Sequence, residues 1–396
     1  MLKRFRVNNF KSLLNFEFRP VGLNLLVGRN NAGKTNLCSA LRFVGLSSLT
    51  CLENAISTVG EMWNMTNVHV LGKPELEFEV DCALNYEDQS LDFSYILTLN
   101  VQKDRIIGRE ALKVIKETLT VTGGPFKQTP LLENDGHQAK MLHEKRFVQD
   151  YQDPHVLTLA PEDTTMLSKL YELEDNPRAT LFKRYLRNWF YYSFSPDALR
   201  SPDVLRDNPF LRHDGANLSC AMHTLHNEKP RVEKRIIEML QPIEPNVDLF
   251  SYKPPDPDHV YMFLEDEKNH RFGARSMSDG TLRFLAMVYL LVVLEERSKE
   301  TGIKPLIMIE EPENGLYVGH LKPLLEQIDP SGTGGQFIFT SHNPYFIDLF
   351  DNNLDGVHVI KPGKPSSVLA KPDPNKIRSI LDQMPLGEMH YREMLG

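Results

Sequence analysis

Gly28-Arg29-Asn30-Asn31-Ala32-Gly33-Lys34-Thr35 leaves this 396-residue chain few folds to choose from. The stretch fits G-x-x-x-x-G-K-[ST], which works only where a strand turns sharply into a helix. Glycines let the backbone bend, the N–H groups of the bend converge on one spot, and the following helix adds the positive end of its dipole. Both flanks carry the required pattern: Leu23 to Val27 is an apolar run of strand length, and Lys34 to about Val44 reads as a helix. In such a cradle Gly28 and Gly33 permit the geometry, Lys34 reaches the β and γ phosphates, and the Thr35 hydroxyl ligates magnesium. Gly28, Asn30, Asn31, Ala32, Gly33, Lys34, Thr35 and Asn36 are the candidate nucleotide-binding residues, with ATP and Mg²⁺ as ligands.

Pro305 to Ile309 is apolar and ends in Glu310-Glu311-Pro312-Glu313. Carboxylates at the tip of a central strand face the ligand crevice. There Glu310 would hold Mg²⁺ through water, and Glu311 would orient or deprotonate the attacking water. Alone, such a turn is as often a solvated acidic loop; beside a phosphate cradle it reads as catalytic. Ser276-Met277-Ser278-Asp279-Gly280-Thr281 precedes the apolar run Leu282 to Leu294, so Ser278 and Gly280 lie at a helix start suited to an anion. Phe337-Ile338-Phe339-Thr340 then delivers Ser341-His342-Asn343-Pro344, which puts His342 at another strand end. A lone histidine there is more often structural than catalytic.

The chain reads as α/β. Leu2 to Val7, Phe16 to Phe18 and Leu23 to Val27 are short strands, and the alternation in Leu76 to Leu84 and Phe93 to Val101 predicts an antiparallel patch flanking a mostly parallel core. From about 105 to 165 the pattern is weak, with turn signals at Gly123-Gly124-Pro125 and Asn134-Asp135-Gly136. Residues 178–242 read as mostly helical. Strands and helices alternate again from 259 to 360, as a helix-covered parallel sheet requires. The expected division is an ATPase head of residues 1–104 and 250–396 around a mixed, mostly helical insertion, 105–249.

Taken in order, the cradle, serine-x-glycine helix start, acidic strand end and strand-end histidine resemble the ABC-type head ATPases, a class of P-loop NTPase. The likeness is closest to the branch containing RecF, the structural-maintenance-of-chromosomes heads and the overcoming-lysogenization-defect ATPases. Asn9-Phe10-Lys11-Ser12, Phe194-Ser195-Pro196-Asp197-Ala198-Leu199-Arg200 and Asp214-Gly215-Ala216-Asn217-Leu218 are further local matches. The resemblance spans both ends of the chain and thins between about 105 and 190. It implies that Ser278 and Gly280 reach the γ phosphate bound on a second copy, so that neither copy is complete alone. It makes Glu311 the catalytic glutamate, His342 the switch histidine, and Asn314-Gly315-Leu316 a loop crossing the dimer interface. Asp279 and Thr281 replace the commonest glycine and glutamine, Tyr317-Val318 stands where relatives often carry His-Pro, and Gln149 is one of several candidates for the Q-loop glutamine.

A net charge of −8 argues against a surface basic everywhere, so nucleic acid could be held only by a local patch. Arg178, Lys183, Arg184 and Arg187 interleave with Phe182, Tyr185, Trp189 and Tyr191; helical spacing favours Leu181, Phe182, Tyr185, Leu186 and Trp189 packing inward and Lys183, Arg184 and Arg187 staying solvated. Lys3, Arg4, Arg6 and Lys11 suit a charge-protected edge strand. His223 and His226 lack nearby acidic or cysteine partners in sequence, and the four cysteines show no C-x-x-C pair. No leader or membrane span is evident, so a cytoplasmic protein without membrane contact is expected.

Two roles fit the resemblance. One is a regulatory ATPase whose dimer controls a separately encoded effector, such as a nuclease, in bacterial defence against phage; the chain ends near Gly396 without room for a fused one. The other is a RecF-like repair ATPase binding DNA across the dimer. A transporter fits poorly, because a long stretch separates cradle from signature and nothing docks on a membrane.

Overall fold

Leu23–Val27 is buried at every position but its first, as a strand covered on both faces must be. The computed structural model describes residues 1–60, 65–70, 75–103, 110–149, 155–170, 175–205, 209–253, 256–328 and 335–395. In it β1 (Leu23–Val27), β2 (Trp189–Tyr192), β3 (Leu306–Glu310), β4 (Gln336–Ser341) and β5 (Val357–Lys361) form a parallel sheet in the order β2-β3-β4-β1-β5, closed by an antiparallel edge, Val368–Ala370. Because the strands run one way, Gly28, Ser193, Glu311 and His342 all leave the sheet at the same end. That shared end is where a ligand crevice opens in sheets of this type.

Helices cover the sheet. α1 (Lys34–Ser47) follows the cradle, α2 (Asp279–Thr301) follows Ser278, α3 (Pro344–Asp348) follows His342, and α4 (Leu386–Tyr391) packs on α3. A second, eight-stranded antiparallel sheet lies against α1. In Glu75–Tyr86 every second side chain from Leu76 to Leu84 is buried, the period a half-covered strand imposes. Phe78 meets Phe43 of α1 with ring centroids 5.2 Å apart, and Phe10 closes on Phe78 at 5.6 Å. Each such ring contributes about 1.5–3 kcal/mol by leaving water, which fixes the cradle helix to the flanking sheet.

The N-terminal strand is not an edge. Leu2–Asn8 pairs on both sides, with Phe16–Phe18 and Glu75–Tyr86. Its cations meet acids on the neighbouring strand: Arg4 bonds Glu79 and Asp81 at 2.6 Å each, and Arg6 bonds Glu79 at 2.6 Å. Lys11 instead donates to the Val59 carbonyl at 3.0 Å.

Residues 105–249 depart from a mostly helical insertion. Glu110–Gly123, Phe126–Asn134, Gln138–Leu142 and His155–Leu159 extend the antiparallel sheet, and long helices appear only from Pro177. A bulge explains why the first of these strands hides in the sequence. Ile115 is skipped between Lys116 and Val114 in the pairing, so the buried set shifts from Leu112 and Val114 to Leu119 and Val121 and no single alternation persists. The expected boundary at 104/105 lies outside the described residues, and that at 249/250 falls within the strand Val247–Lys253.

The helix read through Trp189 ends at Arg187, and the aromatic run after Asn188 becomes β2, since bulky aromatic side chains favour the pleated surface. Phe182, Tyr185 and Leu186 are buried, but so is Lys183, whose Nζ bonds the Ser168 and Leu170 carbonyls at 2.8 and 2.6 Å. The Arg178 guanidinium lies 4.7 Å from the Tyr86 ring and 4.5 Å from the Phe126 ring, and pairs with buried Glu144 at 3.2 Å. Arg178 thus ties the helix to the sheet, and Lys183 turns onto the neighbouring turn at 168–170 instead of facing solvent. His226 has an acidic partner after all, with Nδ1 2.7 Å from Glu233. Among the described residues no group of three or more histidines, cysteines and acids is arranged around a metal, and no helix is long and apolar enough to cross a membrane.

Candidate functional site

Gly33 adopts φ 110°, and a Cβ there would stand 2.5 Å from the Ser367 hydroxyl oxygen, so glycine alone fits. A Cβ on Gly28 would meet the Ile360 carbonyl at 2.2 Å. α1 starts at Lys34 behind Gly33, which has no side chain to cap the first N–H groups, and this leaves them to an anion. Lys34 Nζ bends back onto the Gly28 carbonyl at 2.7 Å and the Arg29 carbonyl at 3.3 Å. Burial pulls its pKa down, against the opposing pull of Glu311, Glu310 and Glu313. Asn36 donates to Ser12 Oγ at 2.8 Å, and Ser367 donates to the same oxygen at 2.7 Å, so the first loop of the chain and the loop before Val368 brace the cradle.

The acidic strand end faces this turn across a cavity of about 540 Å³, walled by residues 30–36 and by Glu310, Glu311 and Asn314. Glu310 ends β3; its Oε2 accepts from the Tyr191 hydroxyl at 2.8 Å, while its Oε1 is buried with no partner among the described residues. A buried carboxylate oxygen left over on a residue that lines the same cavity as Thr35 suits a hydrated divalent cation, the group such a cradle implies. Glu311 lies at φ 42°, a left-handed conformation that costs on the order of 1–3 kcal/mol in a non-glycine residue. Its Oε1 is 2.9 Å from His342 Nδ1, and its Oε2 accepts from Asn314 Nδ2 at 2.6 Å. Glu313 turns the other way, 3% exposed and bonded to the Ser341 hydroxyl, and burial pushes its pKa up.

Ser278 caps α2, its Oγ accepting from the Thr281 amide at 3.0 Å, yet the residue itself is exposed. Neither Ser278 nor Gly280 lines the cradle cavity. Gly280 lies so close to the following loop that a Cβ would stand 2.8 Å from the Gly315 carbonyl. Arg283, one turn on, donates to the Asn314 carbonyl, and Asn314 holds Glu311, so the start of α2 is linked to the acidic turn. Gln149 is exposed on the antiparallel sheet's side of the chain and does not line the cavity.

Ser193 and Phe194, directly after β2, do line it, as does Arg283. Sequence reasoning gave none of these a role, although Phe194 opens one of the local family matches. Topology was the missing signal: β2 borders β3, so whatever follows β2 must arrive beside Glu310.

A parallel sheet with these four strand ends, a serine-capped helix and a flanking antiparallel sheet define an ABC-type P-loop ATPase head. Residues 23–348 match the family described as "AAA domain, putative AbiEii toxin, Type IV TA system", and the chain belongs to it. A solved SMC head bound to the C-winged helix domain of ScpA shares the fold at 13% identity and TM-score 0.56, over 96% of this chain and 99% of that one. The SMC head domain from Thermotoga maritima aligns at 12% identity and TM-score 0.44, over 94% and 99% of the two chains. RecF in its ATP form aligns at 12% identity and TM-score 0.45, over 93% and 97%. No curated protein matches the sequence.

Proposed function

We propose that the chain binds ATP with Mg²⁺ and hydrolyses it at a site completed by a second copy of itself. The observation that carries this is the Glu311–His342 pair, formed at 2.9 Å across the ends of adjacent parallel strands and opposite an uncapped helix start. The exposure of Ser278 away from its own cradle supports the two-copy arrangement. Thr35 and Glu310 would hold the magnesium, which when bound supplies charge neutralisation at the β and γ phosphates. Gly28, Asn30, Asn31, Ala32, Gly33 and Asn36 would wrap the phosphates with backbone N–H groups, and Lys34 would turn from the Gly28 carbonyl to the γ phosphate. Glu311, oriented by His342 and Asn314, would take the proton of the attacking water.

Glu311→Gln tests the assignment. It should lower turnover by at least about 10²-fold while ATP affinity and the ATP-bound dimer persist. Turnover equal to wild type in that variant would remove the catalytic assignment.

For biological setting, the family description favours a defence or toxin–antitoxin context, with the ATPase cycle governing a separately encoded effector. Among the described residues no metal-binding cluster of the kind a two-metal nuclease uses is present. The protein purified alone should hydrolyse ATP and leave duplex DNA intact. DNA-stimulated hydrolysis that weakens steeply with salt would instead favour a RecF-like role.

A further inference from the structure

Tyr191 belongs to no motif in the sequence, yet its hydroxyl bonds the carboxylate that ends β3. β2 and β3 run in parallel with Tyr191 opposite Met308, and the phenol reaches diagonally to Glu310 Oε2 at 2.8 Å. On the ring lies the Arg42 guanidinium, 4.7 Å from its centroid. Arg42 is carried by α1, the helix that begins beside Thr35. One helix therefore bears the cradle hydroxyl at its start and, two turns later, the cation that holds the phenol against Glu310.

A carboxylate turns easily about its last torsion, so an acid at a strand tip does not by itself present one oxygen in one direction. Here Oε2 is taken and Oε1 is buried with no partner among the described residues, which fixes which oxygen remains for a ligand. The bond is not simply the fold satisfying a buried hydroxyl. Tyr192, the next residue in sequence, buries its hydroxyl with no hydrogen-bond partner among the described residues.

We propose that Tyr191 is a positioning residue of the metal site: its hydroxyl pins Oε2 of Glu310 so that Oε1 is presented to the divalent cation that accompanies ATP, with Arg42 holding the ring in place. This rests on the reading of Glu310 as the residue that holds magnesium. Outer-shell partners of metal-binding carboxylates typically govern affinity by 10- to 100-fold.

Tyr191→Phe keeps the ring and its contact with Arg42 and deletes one oxygen. Free Mn²⁺ measured by electron paramagnetic resonance, titrated with protein and a non-hydrolysable ATP analogue, should show affinity for the ion about tenfold weaker than wild type. Analogue binding in EDTA and the melting temperature should stay unchanged. Arg42→Gln should move Mn²⁺ affinity the same way by less, and it carries the test if Tyr191→Phe does not fold. Wild-type Mn²⁺ affinity in the variants, or an equal loss of analogue binding in EDTA, overturns the proposal. Glu310→Gln separates the two readings. If it also binds Mn²⁺ normally, Glu310 does not hold the metal; if it binds weakly while Tyr191→Phe does not, only the role of Tyr191 falls.

Discussion

His358 is buried in β5 next to the cradle strand, with its ring 4.9 Å from Phe18 and its Nε2 3.3 Å from the Asn24 side chain. Burial lowers its pKa from 6.5 to about 4, so the folded chain keeps it neutral. Between those values the unfolded chain binds a proton that the folded chain refuses. Stability that is complete above pH 6.5 is therefore lost as pH falls toward 4, amounting to about 2 kcal/mol at pH 5. Denaturant titrations of wild type and His358→Gln should show the wild type losing that much of its relative stability between pH 7 and pH 5; parallel pH profiles would mean that His358 is not the group responsible. Legibility at this scale follows sequence separation. The spacing of Gly28, Gly33, Lys34 and Thr35 is local and can be read directly, whereas Tyr191 meets Glu310 across 119 residues and could be placed only once β2 was known to border β3.

Among the elements, α2 carries two demands on one residue. Ser278 stabilises the helix as its cap, and in the proposed dimer the same hydroxyl meets a γ phosphate. Aspartate caps a helix about as well as serine, but it would bring a negative charge to the phosphate. Ser278→Asp should thus keep stability within about 0.5 kcal/mol of wild type and abolish ATP-dependent association and turnover, whereas Ser278→Ala should cost about 1 kcal/mol of stability. Calorimetry and light scattering with ATP separate the outcomes, and full turnover in Ser278→Asp would leave the residue a cap and nothing more. Elements with an unbroken period were legible: the start of α2 at Asp279 and the strand Leu306–Glu310 lie within a residue of their expected bounds. Glu110–Gly123 was not, because its bulge changes which side chains are buried midway along the strand. Trp189–Tyr192 was missed for another reason, since its aromatic residues continue the helical spacing of Phe182 and Tyr185 and only tertiary pairing with β3 decides against a helix.

For the whole molecule, the separation of Ser278 from its own phosphate cavity turns the oligomer into a question about chemistry. If the cradle of one copy works with the α2 start of another, Lys34→Ala and Ser278→Arg damage opposite halves of every site. Each variant alone then has no intact site. Mixed, they form heterodimers in which the Ser278→Arg copy still offers a sound cradle and the Lys34→Ala copy a sound serine, so one of the two sites is whole. Random pairing makes about half of the dimers mixed, and the mixture should recover about a quarter of the wild-type rate per chain. A site complete within one chain predicts otherwise, since mixing two dead proteins would then restore nothing. The recovered rate should also fall on dilution below the dimer's dissociation constant, because an active site shared between chains exists only while the chains are together.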